Sequence, residues 1–524
     1  MARPASAPPG GAPPAIEPLR GAAMFIALFF LSAANFMAIL DMTIVNVSLP
    51  AIAGGLGVSP DQATWTITSY AVAEAITVPL TGWLAGRFGT VRVFVAAIAG
   101  FGVCSLLCGI APNFGFLVVF RVMQGLCGGP MMPLSQTLLM RLVPTEFRAQ
   151  AMGLWVVTIV VAPIAGPILG GTITDNFGWE WIFFINVPIA ALLVPFAWRL
   201  LMPKESQTQR LPIDYVGLGL LVLWIGAMQI MLDKGKDLDW FSSPVIISLA
   251  VVAVTGFIAF LIWELTEEHP IVNLRVFRHR NFSIGLLTMC LSYSCFFSAS
   301  ILITLWLQTN MGYTATHSGQ ALAPQGIMMV VMAPIISRLI GKVDSRVLVT
   351  MGLTWVAGIM LMRANYTPNA TFFQIALPQF LQGFGMPFFF IPLNNIALAA
   401  LKPEEYADGS GLLNFVRTTS AAFGVSIITT QWTNNTAANR VHMLGSMAAD
   451  PVNHGLHNEA LSPAGNLGML SSMVDGQAVM LATNHMFEII SVLLVVSALS
   501  IWLAPPPPWK KGQGAGSSPQ TMAH

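Results

Sequence analysis

Residues 245–265 read VIISLAVVAVTGFIAFLIWEL, with one charge, Glu264, next to the end. As a helix, a run of this length and polarity covers about 30 Å, the thickness of the hydrocarbon core of a bilayer. Comparable runs recur near 23–49, 63–84, 93–111, 114–138, 150–172, 180–201, 213–232, 282–308, 319–340, 346–362, 372–399, 409–431 and 484–503, which predicts fourteen spans. Composition agrees. Of 524 residues, 55% are hydrophobic and 9% charged, whereas a soluble domain carries about 25% charge. That much apolar surface needs lipid as its solvent. The net charge of +1 offers nothing to a polyanion such as nucleic acid. The predicted fold class is all-α integral membrane.

An even number of spans puts both termini on one side, and Lys and Arg choose which. With the N-terminus cytoplasmic, 18 of these residues fall on inside segments and 4 on outside ones, while Arg121 and Arg417 sit within spans. The reading is a multi-pass inner-membrane protein with cytoplasmic termini. It divides into a Pro/Ala-rich tail (1–20), an N-terminal six-helix half (21–202), two additional spans (203–270), a C-terminal half (271–504) and a Pro/Gly/Ser-rich tail (505–524). Both tails read as disordered. The first apolar run is too long for the core of a cleavable signal peptide. The longest outside segment, 432–483, is rich in Asn, Gly, Met and Ala and is expected to be a mobile or partner-facing loop.

An internal repeat ties the halves together. Pro79-Leu-Thr-Gly82-Trp-Leu-Ala-Gly86-Arg87 is echoed by Pro334-Ile-Ile-Ser-Arg-Leu-Ile-Gly341-Lys342, a shift of 255 residues. Phe120-Arg121-Val-Met-Gln124-Gly125 is echoed by Gln379-Phe-Leu-Gln382-Gly383 at nearly the same shift. Parallel repeats mark transporters built as two halves around a central site.

Charges inside spans are costly and therefore functional candidates. Asp41 in the first span and Arg121 in the fourth lie at similar depth, about 10–12 Å below the outer surface at 1.5 Å per residue. A direct or water-bridged pair is expected there. A carboxylate in a dry cavity holds its proton more tightly, and a neighbouring Arg loosens it, so Asp41 is the candidate proton carrier. Arg121 tunes it, because a guanidinium does not deprotonate. The competing reading is a static ion pair that locks helices. Glu74, mid-span, is a second proton-coupling candidate or a structural hydrogen-bonding group. Arg417 in the thirteenth span has two readings: contact with an anionic substrate, or pairing with Asp408 or snorkelling. The segment 162–171, Ala-Pro163-Ile-Ala-Gly166-Pro167-Ile-Leu-Gly170-Gly171, combines small residues that let helices approach with prolines that let one bend. Trp155, Tyr293, Phe296, Phe297, Phe384 and Met386 are candidates for a greasy cavity. The five cysteines fall in apolar runs and read as buried thiols. No Walker loop, metal motif, nucleophile elbow or dinucleotide fingerprint appears. The chain therefore reads as a transporter and not an enzyme, with no cofactor or metal and with the proton motive force as energy source.

Taken together, these segments resemble the major facilitator superfamily, and within it the fourteen-span drug:proton antiporters of the EmrB type. Leu40-Asp41-Met-Thr-Ile-Val-Asn46-Val-Ser-Leu-Pro50 is similar to the family's first-span motif. Gly82-Trp-Leu-Ala-Gly86-Arg87-Phe-Gly89-Thr-Val-Arg92 is similar to its cytoplasmic gating motif, Phe120–Gly125 to its fourth-span motif and 162–171 to its antiporter motif. Trp179–Pro188, Gln229–Ser243 and Asn414-Phe-Val-Arg417-Thr resemble the EmrB-type branch. The resemblance implies proton and drug coupling at Asp41 and Arg121, and gating at Gly82, Arg87, Gly89, Arg92, Pro163, Gly166, Pro167, Gly170 and Gly171. With the residues above it gives a substrate site of Asn46, Gln124, Trp155, Tyr293, Phe297, Asn414 and Arg417. It also implies a tripartite pump with a periplasmic EmrA-like adaptor and an outer-membrane TolC-like channel, the 432–483 segment being the candidate docking surface. Two departures stand out. The gating motif carries an acid where this chain has Gly86, and Ala162 replaces the first glycine of the antiporter motif. The expected function is proton-coupled export of hydrophobic drugs. Export of fatty acids or bile-salt-like amphiphiles, and nutrient uptake by the same fold, stay open.

Overall fold

A computed structural model describes residues 19–206, 208, 212–236, 238–449 and 463–505. It is helical throughout, with a single isolated bridge, Ile340 to Val343, among the described residues. The N-terminal half holds α1 (Gly21–Leu56), α2 (Pro60–Ala63), α3 (Trp65–Thr77), α4 (Thr81–Phe88), α5 (Thr90–Gly109), α6 (Phe114–Gly128), α7 (Met131–Leu142), α8 (Arg148–Phe177), α9 (Trp181–Phe184) and α10 (Asn186–Leu201). Then come α11 (Tyr215–Lys234) and α12 (Pro244–Thr266). The C-terminal half holds α13 (Arg280–Thr309), α14 (Ala315–Leu339), α15 (Ser345–Arg363), α16 (Phe372–Ala399), α17 (Tyr406–Ala449) and α18 (Pro463–Ser500).

Among the described residues, twelve helical segments are long and apolar enough to cross a bilayer, and α8, bent by 47° between Pro163 and Ile168, makes thirteen. The remaining expected span, 63–84, is α3 and α4, interrupted at Val78–Leu80. Pro79 sits in the interruption and supplies no N–H for the helical ladder. The fourth span breaks for the same reason between α6 and α7, where Pro130 follows two glycines.

The expected loop 432–483 needs correction. α17 continues to Ala449 and α18 begins at Pro463, so most of it is helix; 450–462 lies outside the described residues. The segment lacks the long apolar run of a span, but it has no interior proline before Pro451 and is rich in Ala, Met and Leu, which favour helix. Side chains fasten the two helices into a hairpin. Trp432 Nε1 donates to Thr483 Oγ1 (2.9 Å), Asn439 Nδ2 to the Ala478 carbonyl (3.3 Å), and Arg440 pairs with Asp475 (2.7 Å). With 44 residues, α17 is about 66 Å long and projects well past a ~30 Å hydrocarbon core. The tails 1–18 and 506–524 also lie outside the described residues.

Candidate transport site

The first cluster grows from α1 and α6. Asp41 and Arg121 are fully buried, and Arg121 Nη1 pairs with Asp41 Oδ2 at 2.6 Å. Of the two forms expected, direct or water-bridged, the pair takes the direct one. Its depth is set by α6, where Arg121 lies one to two turns inside Phe114; α1 itself runs seven residues past the expected end at 49. The surroundings explain how two charges survive away from water. Arg121 Nε donates to the Thr66 carbonyl (2.9 Å) and Nη1 also to Gln124 Oε1 (2.8 Å). Asp41 Oδ1 accepts from Gln124 Nε2 (3.0 Å) and Asn186 Nδ2 (2.7 Å). Arg121 also stands over the Tyr70 ring, 4.2 Å from its centroid. Four helices thus supply partners, which is what a buried ion pair needs to offset desolvation. Gln124, expected to touch substrate, is a member of this network. Asn186 was missed; its one sequence signal is a lone amide in the apolar run before Pro188. Asn46, also expected at the substrate site, is exposed on α1, one turn beyond Asp41.

The second cluster joins the halves. Trp155 (α8) is buried and its Nε1 donates to Ser135 Oγ of α7 at 2.8 Å. Arg417 (α17) is 2% exposed and stands 5.8 Å from both the Trp155 and Tyr293 ring centroids. Its Nη2 touches Met132 Sδ, and its Nη1 has no hydrogen-bond partner. Tyr293 (α13) packs edge-on against Phe390 (4.7 Å) and beside Phe297 (6.2 Å), and Phe296 joins the same aromatic wall. Glu74 (α3) lies within electrostatic reach of Arg417 and, more weakly, of Arg121. The structure therefore gathers Trp155, Tyr293, Phe297, Arg417 and Glu74, but not Phe384, which packs on Trp355 and Phe388 at the outer face of the C-terminal half. Asp408 is no partner of Arg417. It lies beside Gly82 and accepts from Asn273 Nδ2 at 2.9 Å.

Just below this aromatic wall is a polar latch. Gln136 Nε2 donates to Asn394 Oδ1 (3.0 Å), Asn414 Nδ2 donates to Gln136 Oε1 (2.9 Å), and the hydroxyls of Thr137 and Ser410 are 2.6 Å apart. α7 is thereby tied to α16 and α17, all of these groups being buried. Asn414 was expected in the substrate site and sits in the latch. Gln136 and Asn394 carried no distinguishing signal in sequence. At the same end Gly82 approaches Asp408 so closely that any Cβ would overlap the carboxyl group. Gly89, at φ +97°, turns the chain into α5, a backbone region that favours glycine. The Glu205 carboxylate caps that helix, accepting from the Val91 and Arg92 amides at 2.9 Å each. Position 86 carries no acid, and the carboxylates at this end are Glu205 on the α5 amides and, from the other half, Asp408 beside Gly82. Arg87 stacks over Trp83 (5.5 Å) and Phe88 (5.7 Å). On the adjoining surface Glu405 is clasped by Arg278 (2.7 Å) and His279 (3.1 Å). Burial pushes the Glu405 carboxyl up, but the Lys402 amide, His279 and Arg278 outweigh it and hold it below its ordinary value.

α8 connects the clusters. A Cβ on Gly166 or Gly170 would overlap Thr43 or Ile44 of α1, while Gly153 and Gly171 face Ser337 and Thr316 of α14. Ala162, the departure from the antiporter motif, is buried with its carbonyl 3.5 Å from Thr43 Oγ1. The α8 bend begins at Pro163; the Pro167 side chain lies outside the described residues. Any displacement of α1 around Asp41 must therefore push on α8, and α8 bears on the other half.

Two halves of membrane-crossing helices, a buried acid–base pair in one and an aromatic cluster where they meet are the architecture of a membrane transporter. The profile of the Major Facilitator Superfamily matches residues 31–425, and the chain belongs to that family, in its EmrB-type multidrug efflux branch. It is 44% identical over 507 residues to the multidrug export protein EmrB of Escherichia coli (strain K12), covering 96% of this chain and 99% of that one. It is 42% identical over 504 residues to the fatty acid resistance protein FarB of Neisseria gonorrhoeae, covering 95% and 99%. Among solved structures, the human organic anion transporter MFSD10 superposes with a TM-score of 0.55 at 14% identity, over 90% of this chain and 99% of that one; this likeness concerns the fold alone.

Proposed function

We propose that the chain is a proton-coupled antiporter that exports hydrophobic compounds across the inner membrane, with cytoplasmic termini and the latch at the cytoplasmic end. The observation that carries this reading is the fully buried Asp41–Arg121 pair on the helix that packs along the small-residue face of α8. A proton arriving at Asp41 cancels its charge and weakens its hold on Arg121, Gln124 and Asn186. α1 then shifts, and α8 passes the shift to α14 of the other half. The energy suffices. One proton crossing ~150 mV releases about 3.5 kcal/mol, equivalent to about 2.5 decades of gradient for a neutral solute. Substrate sits among Trp155, Tyr293, Phe297 and Phe390, whose aromatic faces tolerate many apolar shapes.

A second reading for the cargo is favoured by one observation. Arg417 is buried beside these rings with one Nη unpartnered, so an amphiphile carrying a carboxylate would find its counter-charge there. FarB, at 42% identity, is named for fatty acid resistance, which agrees. For assembly, the α17–α18 hairpin offers a docking surface to an EmrA-like periplasmic adaptor, with a TolC-like channel beyond. In inverted membrane vesicles, imposing an inward-acid gradient should drive accumulation of a fluorescent lipophilic dye. Accumulation that survives collapse of the gradient by an ionophore would exclude antiport.

A further inference from the structure

The internal repeat places a second buried arginine where the first half has none. At the 255-residue shift, Cys108 corresponds to Arg363, and at 258 residues Arg121, Gln124 and Gly125 correspond to Gln379, Gln382 and Gly383. The packing repeats as well. Gly125 meets the Tyr70 carbonyl in one half, and Gly383 meets the Gln325 carbonyl in the other. Cys108 Sγ lies 3.5 Å from Gln124 Oε1, while Arg363 Nη2 donates to Gln382 Oε1. The same scaffold thus holds a guanidinium in both halves, delivered from different helices. The acid has no counterpart, because the position equivalent to Asp41 at that shift is Phe296.

Arg363 is 1% exposed, and among the described residues it makes no ion pair; the ionisable group beside it is Tyr366. It closes α15, where the terminal carbonyls offer roughly half a negative charge, and the Phe487 ring stands 5.8 Å away. Neither balances a full charge that cannot be shed by deprotonation. Around it donors are in excess. The Nε2 atoms of Gln379 and Gln382 are buried without acceptors, both glutamines being 1% exposed, and the one oxygen beside Arg363 Nε is the neutral Tyr366 hydroxyl. The glutamines are one helical turn apart on one face of α16. The Tyr366 ring, stacked on Trp306 at 5.5 Å, closes the cluster.

A buried cation fringed by idle N–H donors and lacking an acid is short of an anion. We infer that the C-terminal half holds a small monovalent anion, chloride in size, between Arg363 and the Gln379–Gln382 face, where it plays the part that Asp41 plays in the N-terminal half. Every flanking group is at most 7% exposed, so the site leaves no exit for an organic substituent and selects a monatomic ion over a carboxylate. The inference is independent of what the central chamber carries.

The test uses purified full-length protein exchanged from chloride into gluconate at fixed ionic strength. Sodium chloride, bromide or formate then replaces gluconate while Tm is read by tryptophan fluorescence. Chloride and bromide should raise Tm saturably, by at least about 2 °C at saturation, in wild type and in Arg417→Gln, but not in Arg363→Gln. If Arg363→Gln does not fold, Gln382→Leu carries the same test, with apparent halide affinity weakened about tenfold. A wild type indifferent to halide, a response kept by Arg363→Gln or unweakened in Gln382→Leu, or stabilisation by formate alone would overturn the inference. Loss of the response in Arg417→Gln would do so too, since it would move the anion to the central chamber.

Discussion

Replacing Gln136 with leucine cuts the latch at its centre. In the wild type, Gln136 donates to Asn394 Oδ1 and accepts from Asn414 Nδ2. Without it, Asn394 Oδ1 has no donor, whereas Asn414 Nδ2 keeps its bond to the Ser410 carbonyl at 2.7 Å. One buried acceptor is thus orphaned outright, at a cost of about 1–3 kcal/mol. The cost falls only on the conformation in which α7 meets α16 and α17, because separation of the halves lets water reach the same oxygen. The equilibrium between closed and open at this end should therefore shift about 5- to 150-fold toward open. Ser410, fully buried here, reports on it. A cysteine at 410 should react with a membrane-impermeant maleimide from the latch side at least five times faster in the Gln136→Leu background. Equal rates in both backgrounds, with Tm unchanged, would refute the claim that these amides hold the halves together.

Other outcomes follow from the same geometry. Paired cysteines at Thr137 and Ser410, whose hydroxyls are 2.6 Å apart, should cross-link under oxidation and stop transport, with reduction restoring it; transport by the cross-linked protein would deny this end a role in gating. Gly166→Val should abolish transport while Asp41 and Arg121 stay in place, because the added atoms collide with Thr43; normal transport would remove α8 as the link. For Glu405→Gln the sign is set by a carboxyl held below its ordinary value. The stability lost relative to wild type, under about 1 kcal/mol for a partly exposed clasp, is full above about pH 5. It shrinks below the unfolded value near 4.3 and vanishes once pH falls beneath the folded value. A difference that grows on acidification, read as Tm against pH, would contradict the clasp.

What could be read in advance followed from how each signal is encoded. Spans, buried charges and the repeat were legible because lipid forces apolar runs of fixed length and makes each charge conspicuous. Asp41 and Arg121 stood out on that ground, and the structure joins them. The latch was hidden because Gln136, Asn394 and Asn414 are ordinary amides whose meaning comes only from meeting across the halves. The placement of Glu205 and Asp408 beside the 82–92 motif was hidden for a related reason: the local motif shows Gly86, and the acids arrive from distant segments. The α17–α18 hairpin is not legible as helix because 432–483 lacks a long apolar run, and it is held instead by Trp432, Asn439 and Arg440 meeting partners on the neighbouring helix.

The central claim is that Asp41 carries the coupled proton, and drug-induced proton release tests it most directly. Wild type and Asp41→Asn, each reconstituted into proteoliposomes, receive a hydrophobic uncoupler or a quinolone-like compound while released protons are recorded by a pH-sensitive dye. Asparagine keeps the shape and leaves Arg121 buried without its counter-charge, a loss of about 3–5 kcal/mol, so Tm is recorded alongside to show that the variant is folded. Release from wild type and none from folded Asp41→Asn is the predicted result. Equal release from both would contradict the account and move the proton to another group, Glu74 first.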